Sequence, residues 1–145
     1  MAAEQNKEVV RAIQDAWNRD ALDELDQYFA PDFLPQSNAP GMPPGLEGAK
    51  AAHGFSRRFL PDRKVETVEL IAEGDKVLIR NRIQGVNNSG VPWLGAEANG
   101  QPYDFESWSL YTLRDGKVVE HVGLTDMMRF AIQSGAVKPP EITRG

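Results

Sequence analysis

The sequence has no cysteine and only two histidines, His53 and His121. The first absence excludes disulfides and thiolate metal sites, and two isolated histidines make no metal motif, so no metal and no cofactor are expected. A long apolar run is also missing. No stretch approaches the roughly 20 residues needed to span a bilayer, and the opening MAAEQNKEVV lacks the basic-then-apolar order of a secretory signal. A cytoplasmic protein with no membrane partner is expected. Excess positive charge is lacking too: 16 Lys and Arg against 21 Asp and Glu leave a net charge of −5, which argues against nucleic acid as a partner. What is present is 145 residues with 41% hydrophobic side chains, enough for one domain with its own core. That domain is expected to take in the whole chain 1–145, with its core over about 6–136 and a loose tail over 137–145.

The first third reads as helical. Val9, Ile13 and Trp17 recur at helical spacing within Ala3–Arg19, with Val10 and Ala16 widening the stripe. Asp20 is placed to cap a second helix, Ala21–Phe29, which Pro31 stops. From Ala30 to Gly48, five prolines and three glycines argue against any regular element beyond a short extended piece at Phe33–Leu34. A loop of this length is expected to rim a binding cavity, anchored by Phe33, Leu34, Met42 and Leu46. Glu47–Leu60 reads as a third helix with Ala51, Phe55 and Phe59 in register.

The second half reads as strands. Lys64–Ala72 alternates imperfectly and turns through Glu73-Gly74-Asp75 into Lys76–Gly85. A polar, Gly-rich connection over Val86–Gln101 carries Val91, Trp93 and Leu94. Pro102–Leu113 turns through Asp115-Gly116 into a last strand from Val118, and a short helix, Met127–Gln133, follows. The pattern is α+β: N-terminal helices packed on a strongly curved, mixed or antiparallel sheet, forming a cone with an apolar cavity.

Several phrases carry a resemblance. Asn6–Ala16 followed by Trp17-Asn18, then Phe29-Ala30-Pro31-Asp32-Phe33, then Leu70-Ile71-Ala72-Glu73-Gly74-Asp75-Lys76-Val77, and the closing Asp115-Gly116-Lys117-Val118-Val119-Glu120-His121 resemble SnoaL-like polyketide cyclases. These belong to the nuclear-transport-factor-2-like superfamily. The resemblance runs from about Asn6 to Ala136. It implies the same cone-shaped α+β fold and a homodimer packed through the sheet. Because that fold hosts cyclases, isomerases, epoxide-opening hydrolases and plain binding domains, function has to be argued from the site.

Asp126 matches the family's acid/base aspartate. In a regular strand it ends the face of Val118, Glu120, Val122 and Leu124, and on an apolar floor its charged form would be disfavoured. The competing reading is an N-cap, since Asp126 immediately precedes the last helix. Ser109 stands where related aldol cyclases carry a histidine or aspartate, and a serine is a poor acid or base without an activator. Pro35 stands near a position where related cyclases have a polar group. Gln36 and Asn38 could take over substrate contacts there. Asn81 shares a strand face with Ile79 and Ile83, where an amide needs a partner. Asp126, Asn81 and Ser109 are therefore the catalytic candidates. Phe33, Gln36, Asn38, Met42, Phe55, Trp93, Leu94, Tyr103, Phe105, Tyr111 and Leu124 are the expected substrate-binding wall. His121 falls opposite Asp126 in a regular strand and is expected on the dimer surface or in solvent. His53, beside Ala51 and Ala52, is expected to be solvated.

The resemblance implies a small, cofactor-independent enzyme closing a ring in a hydrophobic polyketide-type molecule, its small-molecule partner. Ring closure could proceed by aldol-type acid/base chemistry at Asp126 or by a shape-driven, cycloaddition-like reaction. Two alternatives stay open: an epoxide hydrolase or isomerase of the same fold, which needs a polar cluster to activate water, and a non-catalytic domain that binds a hydrophobic ligand unchanged.

Overall fold

In the computed structural model, which describes residues 2–35, 41 and 43–142, helices pack on one curled sheet. Helix α1 (Ala2–Asn18) buries Val10, Ile13 and Ala16. A 3₁₀ segment, Leu22–Tyr28, replaces the second α-helix and buries Leu25. Its N-cap residue is Ala21, and no side chain caps it. Asp20 takes a left-handed backbone (φ 56°), which Asp tolerates better than most residues, and turns its carboxylate elsewhere. Strand β1 (Phe29–Pro35) extends the short extended piece expected at Phe33–Leu34, and helix α2 (Gly45–Phe59) follows.

Four long strands come next: β2 (Lys64–Glu73), β3 (Lys76–Val86), β4 (Pro102–Arg114) and β5 (Lys117–Thr125). Helix α3 (Met127–Gln133) closes the fold. The sheet runs β1-β5-β4-β3-β2, with β1 parallel to β5 and the other pairs antiparallel, so it is mixed and its edges, β1 and β2, do not meet. No helix is long and apolar enough to cross a membrane among the described residues.

Two bulges decide which side chains face inward. On β5, Glu120 pairs with Thr112 but Val118 pairs with Leu113, so Val119 is an extra residue. A bulge of one residue reverses the parity beyond it. Val118 points into the core, and so do His121 and Gly123, opposite Tyr111 and Ser109, whereas Val122 and Leu124 turn outward, opposite Leu110 and Trp108. On β2, a second bulge at Val68 between the Thr67–Asn81 and Glu69–Arg80 pairs accounts for the imperfect alternation of that strand.

Two apolar clusters hold the curl. Val10, Ile13, Ala16, Leu25, Phe29, Val77, Ile79, Tyr111, Leu113 and Val118 close one end. Leu60, Val91, Ala96, Tyr103, Phe105 and Phe130 close the other. Between them the inward row of β4 reads Phe105, Ser107, Ser109, Tyr111. Small residues replace large ones where the clusters part, so a space is left there.

The Val86–Gln101 connection is tied down by one buried amide. Asn87, 0% exposed, donates through Nδ2 to the carbonyls of Glu97 and Ser134, both at 3.0 Å, and accepts from Gly90 N at 2.9 Å. Alanine there would strand the buried Gly90 N–H and Ser134 carbonyl and free the part-buried Glu97 carbonyl. Asn87→Ala is expected to lower stability by about 3 kcal/mol, read from urea unfolding, without changing the sheet.

Candidate functional site

The space left by Ser107 and Ser109 is a cavity of about 250 Å³, bounded by Trp17, Phe29, Phe33, His53, Arg57, Arg63, Asn81, Tyr111 and His121 among others. A second, apolar compartment of about 500 Å³ adjoins it and shares Ile83 and Arg63 as walls. Phe55, Trp93, Phe105, Met127 and Phe130 line that compartment.

Helix α2 presents a polar face to the inner cavity. Ala49, His53 and Arg57, spaced by four, line it, while Ala51 and Phe55 are exposed. The expected inward register of Ala51, Phe55 and Phe59 is thus displaced around the helix. Phe55 and Phe59 instead pack on Trp93, with ring centroids 5.4 and 6.0 Å away.

His53 is held on two sides rather than solvated. Its Nε2 lies 2.6 Å from Asp20 Oδ1, its Nδ1 lies 3.2 Å from Arg63 Nη2, and its ring packs 4.9 Å from Trp17. Since Arg63 can only donate, Nδ1 accepts and Nε2 carries the proton given to Asp20. Asp20 also accepts from Arg57 Nε at 3.2 Å. This is what Asp20 does in place of capping. The His53 and Arg57 contacts hold its carboxyl below the usual range.

His121 is the inward residue that a regular strand would have put outside. Its ring stacks on Tyr111 at 4.8 Å, and among the described residues its buried Nε2 has no hydrogen-bond partner. Burial alone pushes its pKa below the ordinary 6.5. Gly123 keeps the space beside it open: a Cβ there would come within 3.4 Å of His121 Nε2 and 3.3 Å of Ser109 Oγ. A neutral imidazole with an unused ring nitrogen, on a residue that lines a cavity, is suited to taking a proton.

Asn81 has its partners. Its Oδ1 accepts from Thr67 Oγ1 at 3.0 Å and its Nδ2 donates to Gln14 Oε1 at 2.9 Å, which leaves one amide hydrogen for the cavity. Ser109 lines the same cavity across from Gly123.

Asp126 lies elsewhere. It is exposed, its Oδ1 accepts from Arg129 N at 3.1 Å as the N-cap of α3, and it stands with Arg82, Asp104, Glu106 and Arg129 beside a small polar cleft. The β5 bulge is again the reason, because the residues sharing its parity, Val122 and Leu124, face out. Leu124, expected in the cavity wall, is 72% exposed on the outer face of the sheet.

Of the other expected wall residues, Phe33 and Tyr111 line the inner cavity, and Phe55, Trp93 and Phe105 the apolar one. Leu94 packs on the second cluster and Tyr103 is buried within it. Gln36, Asn38 and Met42 lie outside the described residues. The sequence reading missed Arg57 and Arg63. The signal available for Arg57 was its spacing of four from His53 on a helix otherwise read by its apolar positions.

With two half-buried histidines whose pKa values are lowered, chiefly by burial, the unfolded chain binds more protons than the folded one just below pH 6.5. Stability therefore rises with pH through that window and is lost on acidification. The melting temperature is expected to be lower at about pH 5 than at about pH 7.5, and His121→Gln should shrink that difference in thermal circular dichroism.

Residues 7–134 match the model of the family described as SnoaL-like polyketide cyclase. The chain belongs to that family. Solved structures agree on the fold of this SnoaL-like chain. IdmH, a candidate polyketide cyclase from Streptomyces antibioticus, is 25% identical with a TM-score of 0.78, over 90% of this chain and 99% of that one. A candidate SnoaL-like polyketide cyclase from Jannaschia is also 25% identical with a TM-score of 0.77, over 96% of both chains. TsrD from Streptomyces laurentii, at 22% identity, superposes with a TM-score of 0.79 over 94% of this chain and 99% of its own. No curated protein matches the sequence.

Proposed function

We propose that this SnoaL-like chain closes a ring in a hydrophobic polyketide-type substrate by acid/base chemistry in the inner cavity, using its own side chains, with His121 as the base. The observation that carries the reading is the buried, partnerless Nε2 of a neutral His121 beside Ser109 and Gly123. His121 Nε2 takes a proton from the carbon alpha to a substrate carbonyl. The enolate oxygen is stabilised by hydrogen bonds, with the remaining Asn81 amide hydrogen and the Ser109 hydroxyl as donors. The enolate carbon then attacks a second carbonyl of the same molecule, forming the ring bond, and the new alkoxide is protonated by the imidazolium. The apolar compartment holds the rest of the substrate folded so that the reacting carbons meet. Asp126 keeps the role of helix cap.

The test needs only the first step. A hydrophobic aryl ketone in D2O should lose its α-proton NMR signal faster with the protein than without it. Ketone binding with no acceleration would instead favour shape-driven ring closure or a plain binding domain.

The assembly inferred is a homodimer through the outer sheet face. Ile71, Leu78, Leu110 and Val122 stand in one row across β2, β3, β4 and β5, and Trp108 and Leu124 extend it. The flanking charges are already matched across strands. Arg80 pairs with Glu106, Nη2 to Oε2 at 2.9 Å, and Arg82 with Asp104 at 2.9 Å. An apolar row framed by neutralised pairs suits an isologous contact with a second copy.

A further inference from the structure

Arg63, between α2 and β2, is the wall shared by the two compartments. Among the described residues its buried Nη1 has no hydrogen-bond partner, and Nη2 reaches the neutral ring nitrogen of His53 at 3.2 Å. The nearby carboxylate, Asp20, is already shared between His53 and Arg57. Among the described residues lining either compartment there is no Asp or Glu. The waist thus holds a half-buried cation whose nearest carboxylate is engaged by two other groups, and burial with the neighbouring Arg57 outweighs the pull of Asp20 and brings its pKa down to about 10. An isolated buried charge is costly unless something pairs with it.

We propose that Arg63 binds a carboxylate on the substrate, so that the ligand is an amphipathic acid whose apolar body fills the larger compartment and whose reacting carbons reach His121. A guanidinium presents paired N–H groups that match a carboxylate in geometry and charge. The Asp20–His53 contact fixes that guanidinium from behind: His53 cannot accept from Arg63 unless Nδ1 is bare, and Asp20 keeps the proton on Nε2. The apolar rings beyond Arg63 reject a second charge, so one acid at the waist sets the orientation of the whole ligand. Arg63 is a binding residue here and takes no proton.

This deepens the cyclase reading by naming a substrate feature; it rests on the cavity being the ligand site but not on His121 acting as base. The test is calorimetric binding of 2-naphthoic acid and of its methyl ester, at a pH where the acid is ionised. The native protein should bind the acid at least about tenfold more tightly than the ester. Arg63→Met should bring the two ligands to within about twofold while leaving ester affinity unchanged, and Arg63→Lys should restore part of the preference. Equal affinities in the native protein, no binding of the acid, or an Arg63→Met protein that loses acid and ester alike would overturn the proposal. If Arg63→Met does not fold, the native ratio and the Arg63→Lys protein still decide. Failure here would leave ketone exchange at His121 standing, and failure of exchange would leave the acid preference standing.

Discussion

Replacing His121 by glutamine is expected to slow α-proton exchange of a bound ketone by a factor on the order of 10²–10⁴, the usual contribution of a positioned general base. Glutamine keeps polarity and approximate size but has no lone pair of suitable basicity. The cavity should therefore stay shaped and the ligand should still bind, so the loss falls on rate rather than affinity. The matched control is Asp126→Asn. Asp126 is exposed and bonded to Arg129 N, a bond the asparagine Oδ1 can also accept, so the variant should lose only about 0.5 kcal/mol of charge–dipole stabilisation and leave exchange within about threefold of native. The opposite result, with His121→Gln active and Asp126→Asn inert, would return the chemistry to the helix cap. The pH dependence gives an independent check. With the His121 pKa below the ordinary 6.5, the exchange rate should be flat above neutrality and fall on the acid side as the imidazole takes up a proton.

Leu110→Glu is expected to convert a dimer into a monomer in light scattering. Leu110 lies between Leu78 and Val122 on the outer face and is 37% exposed, with Trp108 at 46% in the adjoining row. Under twofold symmetry one substitution places two carboxylates in the contact. Burying each without a partner costs on the order of 3 kcal/mol, so the dissociation constant should rise by roughly four orders of magnitude. The inner cavity is on the other face of the same strands, so ketone exchange by the monomer should persist. A native protein that is monomeric at high micromolar concentration would defeat the inference directly.

The sequence was most legible on β4. Its strict alternation sorted Tyr103, Phe105, Ser109 and Tyr111 to one face and Asp104 and Glu106 to the other, as the register bears out. On β3 the same rule put Asn81 inward and Arg80 and Arg82 outward. Alternation failed on β5 because an extra residue, Val119, carries no mark in the side-chain pattern. One uncounted residue exchanged the apparent positions of His121 and Asp126. On α2 the apolar positions at spacing four suggested an Ala51–Phe55–Phe59 face. The helix instead turns Ala49, His53 and Arg57 to the cavity, because Asp20 and the Asn18 carbonyl supply partners that lie far away in sequence. Polar groups bury where partners wait, and helical periodicity cannot announce those partners. The β1 strand was obscured by its prolines, since an edge strand tolerates a residue that donates no hydrogen bond.

The proposed acid/base chemistry depends on His121 being a neutral base inside the ligand cavity, unpartnered among the described residues. Histidine-selective NMR measures this directly: the ring nitrogens of His121 are followed against pH, with and without the naphthoic acid ligand. The prediction is a midpoint below 6.5 and a ligand-induced shift at His121, with the Arg129 amide that Asp126 caps unmoved. A midpoint at or above 6.5, or ligand shifts at the start of α3 with none at His121, would contradict it.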